Sequence, residues 1–105
     1  MAADTIEIEN VPARDRYEAR IDGNLVGFAA YQLTPTLVVF THTEVTPEYE
    51  GQGIGSALAH AALDEIRADG VREVLPLCPF IKAWIGKHPE YIPIVFGARP
   101  STAKD

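Results

Sequence analysis

The sequence predicts an α/β (α+β) domain built on a mixed, mostly antiparallel sheet with two main helices. Three observations carry this reading. Short alternating or apolar runs with turn signals between them fill the first half of the chain. A glycine-rich loop then separates one apolar run from an amphipathic stretch, and a further apolar run follows that stretch. The 105 residues suit one domain, and a hydrophobic share of 47% is enough to give it a core of its own.

The elements follow in order. Thr5 to Glu9 (TIEIE) alternates as a short strand, and Tyr17 to Ile21 (YEARI) is a second. Asp22-Gly23 signals a hairpin into a third strand, Leu25 to Gln32. Thr34-Pro35 turns into LVVFTHTEV, Leu37 to Val45, an apolar, β-branched run bounded by Pro35 and Pro47 that reads as a partly or fully buried strand. In EGQGIGS, Glu50 to Ser56, glycine returns at Gly51, Gly53 and Gly55. Glycine gives up more conformational freedom on folding than any other residue, so three so close together mark a loop of special geometry. From Ser56 the chain sets Leu58, Ala62 and Ile66 four apart, with Asp64, Glu65, Arg67 and Asp69 on the other side. That is an amphipathic helix starting near Ile54 or Gly55 and capped by Gly70.

Glu73 to Leu77 is a fifth strand, weakened by Pro76; a helical crossover joins it to Leu37 to Val45, so the two should run parallel. Phe80 to His88 is a second helix, with Ile81, Trp84 and Ile85 on one face, Pro79 at its start and Pro89 at its stop. Beyond it only Ile92 to Phe96 can form another strand. The polar stretch Arg99 to Asp105 is expected to be a disordered tail, which leaves residues 1–98 as a single domain.

A net charge of -6 argues against nucleic acid as a partner and favours a cationic partner or none. The single cysteine, Cys78, excludes an internal disulfide. No basic-then-apolar leader opens the sequence and no run approaches membrane-spanning length, so a cytoplasmic protein without membrane contact is expected.

Several residues carry candidate chemistry. A helix start presents unpaired N–H groups and the positive end of the helix dipole, which attract phosphates, and bare glycines let a phosphate come close. The same glycines also suit a plain tight turn. Cys78 closes the fifth strand just before a helix start, where the dipole favours thiolate; a small core residue is the other reading. Strand alternation sets His42 on the face of Phe40 and Glu44, as a satisfied core histidine or as a second candidate for chemistry. His88 falls in the last turn of the second helix, where a cation suits the dipole, and His60 sits on the solvated side of the first. The spacing of His42, Cys78 and His88 matches no zinc pattern, and no metal is expected.

VTPEYEGQGIGSAL, Val45 to Leu58, between an apolar strand and an amphipathic helix, resembles the acetyl-CoA-binding motif of the GNAT acyltransferases, Gln/Arg-x-x-Gly-x-Gly/Ala. FTHTEV, Phe40 to Val45, and CPFIKAWIGKHPEY, Cys78 to Tyr91, resemble the small YjdJ-type subgroup. The likeness extends over about Ile21 to Val95. It implies a compact GNAT-like fold, its sheet splayed between two central parallel strands, with a shortened C-terminus. It implies coenzyme A held by the backbone N–H groups of Gln52, Gly53, Ile54, Gly55 and Ser56 at its diphosphate. The pantetheine arm would run along Thr43, Glu44 and Val45, and the thioester would end near Cys78 and Pro79. The motif's first position is Glu50 here, a carboxylate that either turns to solvent or weakens binding. His42 would be a base or positioning group on the acceptor side, and Tyr91 a candidate proton donor to the departing thiolate. The activity implied is N-acetyl transfer from acetyl-CoA to an amine, on a protein, a peptide or a small molecule. The amine attacks directly or through an acetyl-Cys78 intermediate. The acidic charge suits a basic protein or peptide as acceptor. The alternative is a non-catalytic module that binds CoA or acyl-CoA and acts through a partner.

Overall fold

The computed structural model describes residues 5–97, and in it five strands form one mixed sheet in the order β1-β2-β3-β4-β5. They are β1 (Glu7–Val11), β2 (Arg16–Ile21), β3 (Asn24–Leu33), β4 (Leu37–Val45) and β5 (Glu73–Pro76). Neighbours pair antiparallel except β4 and β5, which run parallel through the crossover helix α1 (Ile54–Asp69). A second helix, α2 (Pro79–Gly86), follows β5. The hairpin from β2 to β3 turns on Asp22 (φ 52°) and Gly23 (φ 80°), two consecutive left-handed residues as a type I′ turn needs. Among the described residues the parallel pair stands at one end of the sheet rather than at its centre.

Cross-strand partners share a face, so the ladder sorts the side chains. Tyr17 pairs with Ala29 and Ala29 with Thr43, while Tyr31 pairs with Phe40. This face carries α1, whose Leu58, Ala59, Ala62, Leu63 and Ile66 are buried, and α2, which buries Ile81, Trp84 and Ile85. Phe40 is fully buried between Tyr17 and Tyr31, at ring separations of 6.4 and 6.3 Å. Each such apolar side chain contributes about 1.5–3 kcal/mol by leaving water. Gly70, at φ 71°, ends α1 by donating its N–H to the Ile66 carbonyl.

The opposite face carries Arg16, Glu18, Phe28, His42 and Glu44 in cross-strand register, and no helix among the described residues covers it. Glu18 is only 2% exposed there, because Arg14, Arg16 and Arg20 close over its carboxylate at 3.5, 2.8 and 2.8 Å. Burial raises its pKa, but the hydrogen bonds and charges of Arg16 and Arg20 outweigh that and hold it below the usual carboxylate range.

Two expectations are corrected. His42 does not share a face with Phe40: the register of β3 with β4 shifts between Ala30 and Tyr31, so Thr41 is an extra, unpaired residue between Phe40 and His42. Such a bulge resets the alternation, and His42 is consequently 61% exposed with its ring 6.0 Å from Phe28. Ile92 to Phe96 is not a strand. Pro89 and Pro93 tighten Pro89–Ile94 into a 3-10 turn, and only Val95 bridges β5, at Val74. The expected disordered tail lies outside the described residues. Among those residues, no helix is long and apolar enough to cross a membrane.

Candidate functional site

The β4–β5 ladder runs from Leu37 with Glu73 to Phe40 with Pro76, and the Cys78 N–H then closes on the Phe40 carbonyl at 2.9 Å. Past that point β4 keeps its partners on β3, from Ala30 with His42 to Gly27 with Val45, but pairs with no described residue on its other edge. The bulge at Thr41 marks where the two parallel strands part. Into this opening the chain sends the start of α1.

The loop before α1 needs its glycines. Gly51 and Gly53 sit at φ 83° and 84°, where a side chain is strained. Gly53 is the N-cap and has no side chain to cap with, so the first-turn N–H groups of Ile54, Gly55 and Ser56 are left without a side-chain acceptor. Gly55 answers to a close approach instead, since a Cβ there would stand 2.8 Å from the Phe80 ring. Thr43 and Val45 on one side, Gly53 and Gly55 at the end, and Phe80 and Trp84 from α2 enclose a cleft of about 440 Å³. It combines an apolar wall, an unpaired strand edge and the positive end of a 16-residue helix.

The predicted site residues distribute as follows. Thr43, Val45, Gly53, Ile54, Gly55 and Ser56 line the cleft, and Glu50 stands at it, solvent-exposed. Gln52 does not line it; its N–H faces the Tyr49 carbonyl at 3.3 Å and its side chain the Glu48 carbonyl at 3.4 Å. Glu44 points to the bare face, 3.4 Å from His42, so neither side chain lies in the cleft. Cys78 is the N-cap of α2, 2% exposed, with its Sγ 3.3 Å from the Thr43 hydroxyl; Pro79 is exposed beside it as the first residue of that helix. His88 follows α2 and stacks on Trp84, ring centroids 3.7 Å apart, with Nδ1 2.8 Å from the Trp84 carbonyl.

Tyr91 is 2% exposed and donates its hydroxyl proton to Asp64 at 2.5 Å; burial and that carboxylate raise its pKa. His60 stays solvated on α1, 3.1 Å from Asp64. Among the described residues, no three His, Cys, Asp or Glu side chains gather as a metal site would need.

Sequence reasoning missed Phe80 and Trp84 as walls of the cleft. Trp84 is 7% exposed and its Nε1 donates to Ser56 Oγ at 2.9 Å, tying α2 to the first turn of α1. The signal was present in the four-residue spacing of Phe80 and Trp84, which sets both on one helix face.

A strand–glycine loop–helix unit whose helix start enters the gap between two parting parallel strands defines an α+β domain with an anion-receptive cleft at the end of its sheet. The chain belongs to the GCN5-related N-acetyltransferase family, whose profile matches residues 16–94. The ribosomal-protein-S18-alanine N-acetyltransferase of Escherichia coli is similar in structure, with a TM-score of 0.54 and 26% identity over 58% of this chain and 39% of that one. The ribosomal-protein-alanine N-acetyltransferase of Brucella melitensis biovar Abortus 2308 shares the fold, with a TM-score of 0.56 and 24% identity over 86% and 67% of the two chains. The chain thus spans about two fifths of the Escherichia coli protein. No curated protein matches its sequence.

Proposed function

We propose that the chain binds acetyl-CoA in the cleft and transfers the acetyl group to an amine. The observation that carries this reading is the junction of the uncapped first turn of α1 with the unpaired edge of β4 past Phe40. The residues present fit the group: the first-turn N–H groups of α1 have no side-chain acceptor, and the space beside Gly53 is open. Backbone N–H groups of Gly53, Ile54, Gly55 and Ser56 would hold the diphosphate, Thr43 and Val45 the pantetheine arm, with Phe80 and Trp84 as its apolar wall. When bound, acetyl-CoA supplies the activated acetyl thioester. Glu50, exposed at the cleft, opposes a diphosphate, so Glu50→Arg should tighten CoA binding at low salt and less at high salt.

Direct attack by the amine is the simpler route, because Cys78 is buried and hydrogen-bonded to Thr43 rather than presented to the cleft. In this reading Thr43 and Cys78 bound the thioester end on the helix side. His42, paired with Glu44 on the bare face, receives the acceptor and takes its proton. The bare face leaves room for a peptide or protein amine. The Escherichia coli neighbour acts, by its name, on an alanine of ribosomal protein S18, which supports a peptide amine here. The lone cysteine and the HPEY segment, His88 to Tyr91, assign the chain in this reading to the small YjdJ-type subgroup and suit a cytoplasmic site of action.

Intact-protein mass after incubation with acetyl-CoA, followed by release of free CoA with a panel of amines and peptides, tests the proposal. Direct transfer leaves the protein mass unchanged and releases CoA in the presence of an amine. One added acetyl mass that disappears in Cys78→Ala would instead establish the acyl-cysteine route. Binding without release on any amine would favour the non-catalytic module. A folded Gly55→Val variant should lose CoA affinity about tenfold or more, since Phe80 and the new side chain compete for one space; unchanged calorimetry would remove the loop from the site.

A further inference from the structure

We propose that a second hollow, between two tyrosines and the C-terminal end of α1, binds a small zwitterion of the α-amino-acid type. It lies at the other end of β4: Val38 lines it, whereas Thr43 and Val45 line the cleft. Val38 to Thr43 covers about 17 Å of extended chain. The hollow measures about 270 Å³, which suits a ligand of amino-acid size.

Its walls carry both signs of charge without letting them meet. Tyr17 and Tyr31, both buried, stand 5.5 Å apart between ring centroids. Tyr31 donates its hydroxyl proton to Asn10 Oδ1 and Tyr17 donates to Glu65 Oε1, each at 2.6 Å. Burial and the neighbouring carboxylate raise the Tyr17 pKa, so the phenol stays a donor and fixes Glu65. Asp69 lies one turn further along the same face of α1. Neither Glu65 nor Asp69 forms an ion pair with any described residue.

Arg72 closes the hollow from across. Its Nε donates to the Thr34 carbonyl at 2.7 Å, which orients the guanidinium, and its terminal nitrogens have no acceptor among the described residues. A simple cation would meet Arg72, and a simple anion would meet Glu65 and Asp69. A molecule with an ammonium at one end and a carboxylate at the other satisfies both, the guanidinium taking the carboxylate as a fork. Leu33, Val38 and Ile66 leave an apolar wall for its side chain. The inference stands apart from the acetyl-CoA reading, although α1 supplies residues to both hollows.

Calorimetry on the full chain tests it with three probes of one shape: L-leucine, 3-methylbutylamine, which lacks the carboxylate, and 4-methylpentanoate, which lacks the ammonium. L-leucine should bind one to one, and each analogue at least about tenfold more weakly, because a charge-assisted pair is lost. Saturating CoA should leave that affinity intact. Asp69→Asn and Arg72→Gln should each weaken L-leucine about tenfold. If Arg72→Gln unfolds through loss of its bond to Thr34, the exposed Asp69→Asn decides alone. Absence of binding, an amine that binds as well as L-leucine, displacement by CoA, or wild-type affinity in Asp69→Asn would each overturn the proposal.

Discussion

The two faces of the sheet are held by different forces. On the helix-covered face Phe40 and Ala29 are buried among apolar groups and the rings of Tyr17 and Tyr31, and what stabilises them is removal of surface from water. On the bare face Glu18 is as well hidden as Phe40, yet what hides it is a lid of three arginines whose own side chains reach solvent. β4 serves both faces, and one extra residue, Thr41, decides which of its side chains goes where. Burial alone therefore does not say what a residue contributes; the chemistry of the cover does.

The largest effect should come from removing the apolar side. Phe40→Ala should cost about 3–5 kcal/mol in urea unfolding, enough to unfold much of a small domain, because the cavity sits between two tyrosine rings. Deleting Thr41 sharpens the comparison differently. Phe40 and His42 to Val45 keep their faces once the unpaired residue is gone, so the domain should still fold. The bend that parts β4 from β5 is lost, and CoA affinity should fall about tenfold by calorimetry.

Glu18 should show itself in acid. Its folded pKa lies below the ordinary value of 4.5, so its stabilisation is fully present above that value and is lost as pH falls through the folded pKa. Glu18→Gln should cost about 1 kcal/mol at pH 7 in thermal melts, and that cost should shrink as acid protonates the wild-type carboxylate. The smallest effect is expected at Phe28, half-buried beneath Arg16 with the guanidinium 4.5 Å from its ring centre; Phe28→Ala should cost about 0.5–1 kcal/mol, mainly from that contact. A Phe28→Ala cost equal to that of Phe40→Ala would abolish the distinction between the faces.

Most of this framework was legible in the residues. β4 and α1 follow the predicted Leu37 to Val45 and the start near Ile54, because an apolar β-branched run and an amphipathic period of four are strong local signals. β1 runs Glu7–Val11 rather than Thr5 to Glu9, since pairing with Arg16 to Arg20 selects its register. The bulge was not legible, because Thr41 is an ordinary strand residue and only the ladder with β3 reveals that it has no partner. His42 therefore changed faces between expectation and structure. The contact of Gly55 with Phe80 is likewise invisible locally, as it joins residues 25 positions apart in sequence. The close packing explains that glycine, whereas backbone angle explains Gly51 and Gly53.

Trp84 is the only tryptophan in the chain, and it stands with its indole N–H on Ser56 and its ring stacked on His88. The molecule thus carries its own optical gauge at the wall of the cleft. Light emitted by that indole reports on two things at once: occupancy of the cleft and the bond that joins the two helices. A titration with CoA reads the first and Ser56→Ala removes the second, with no label attached to the protein.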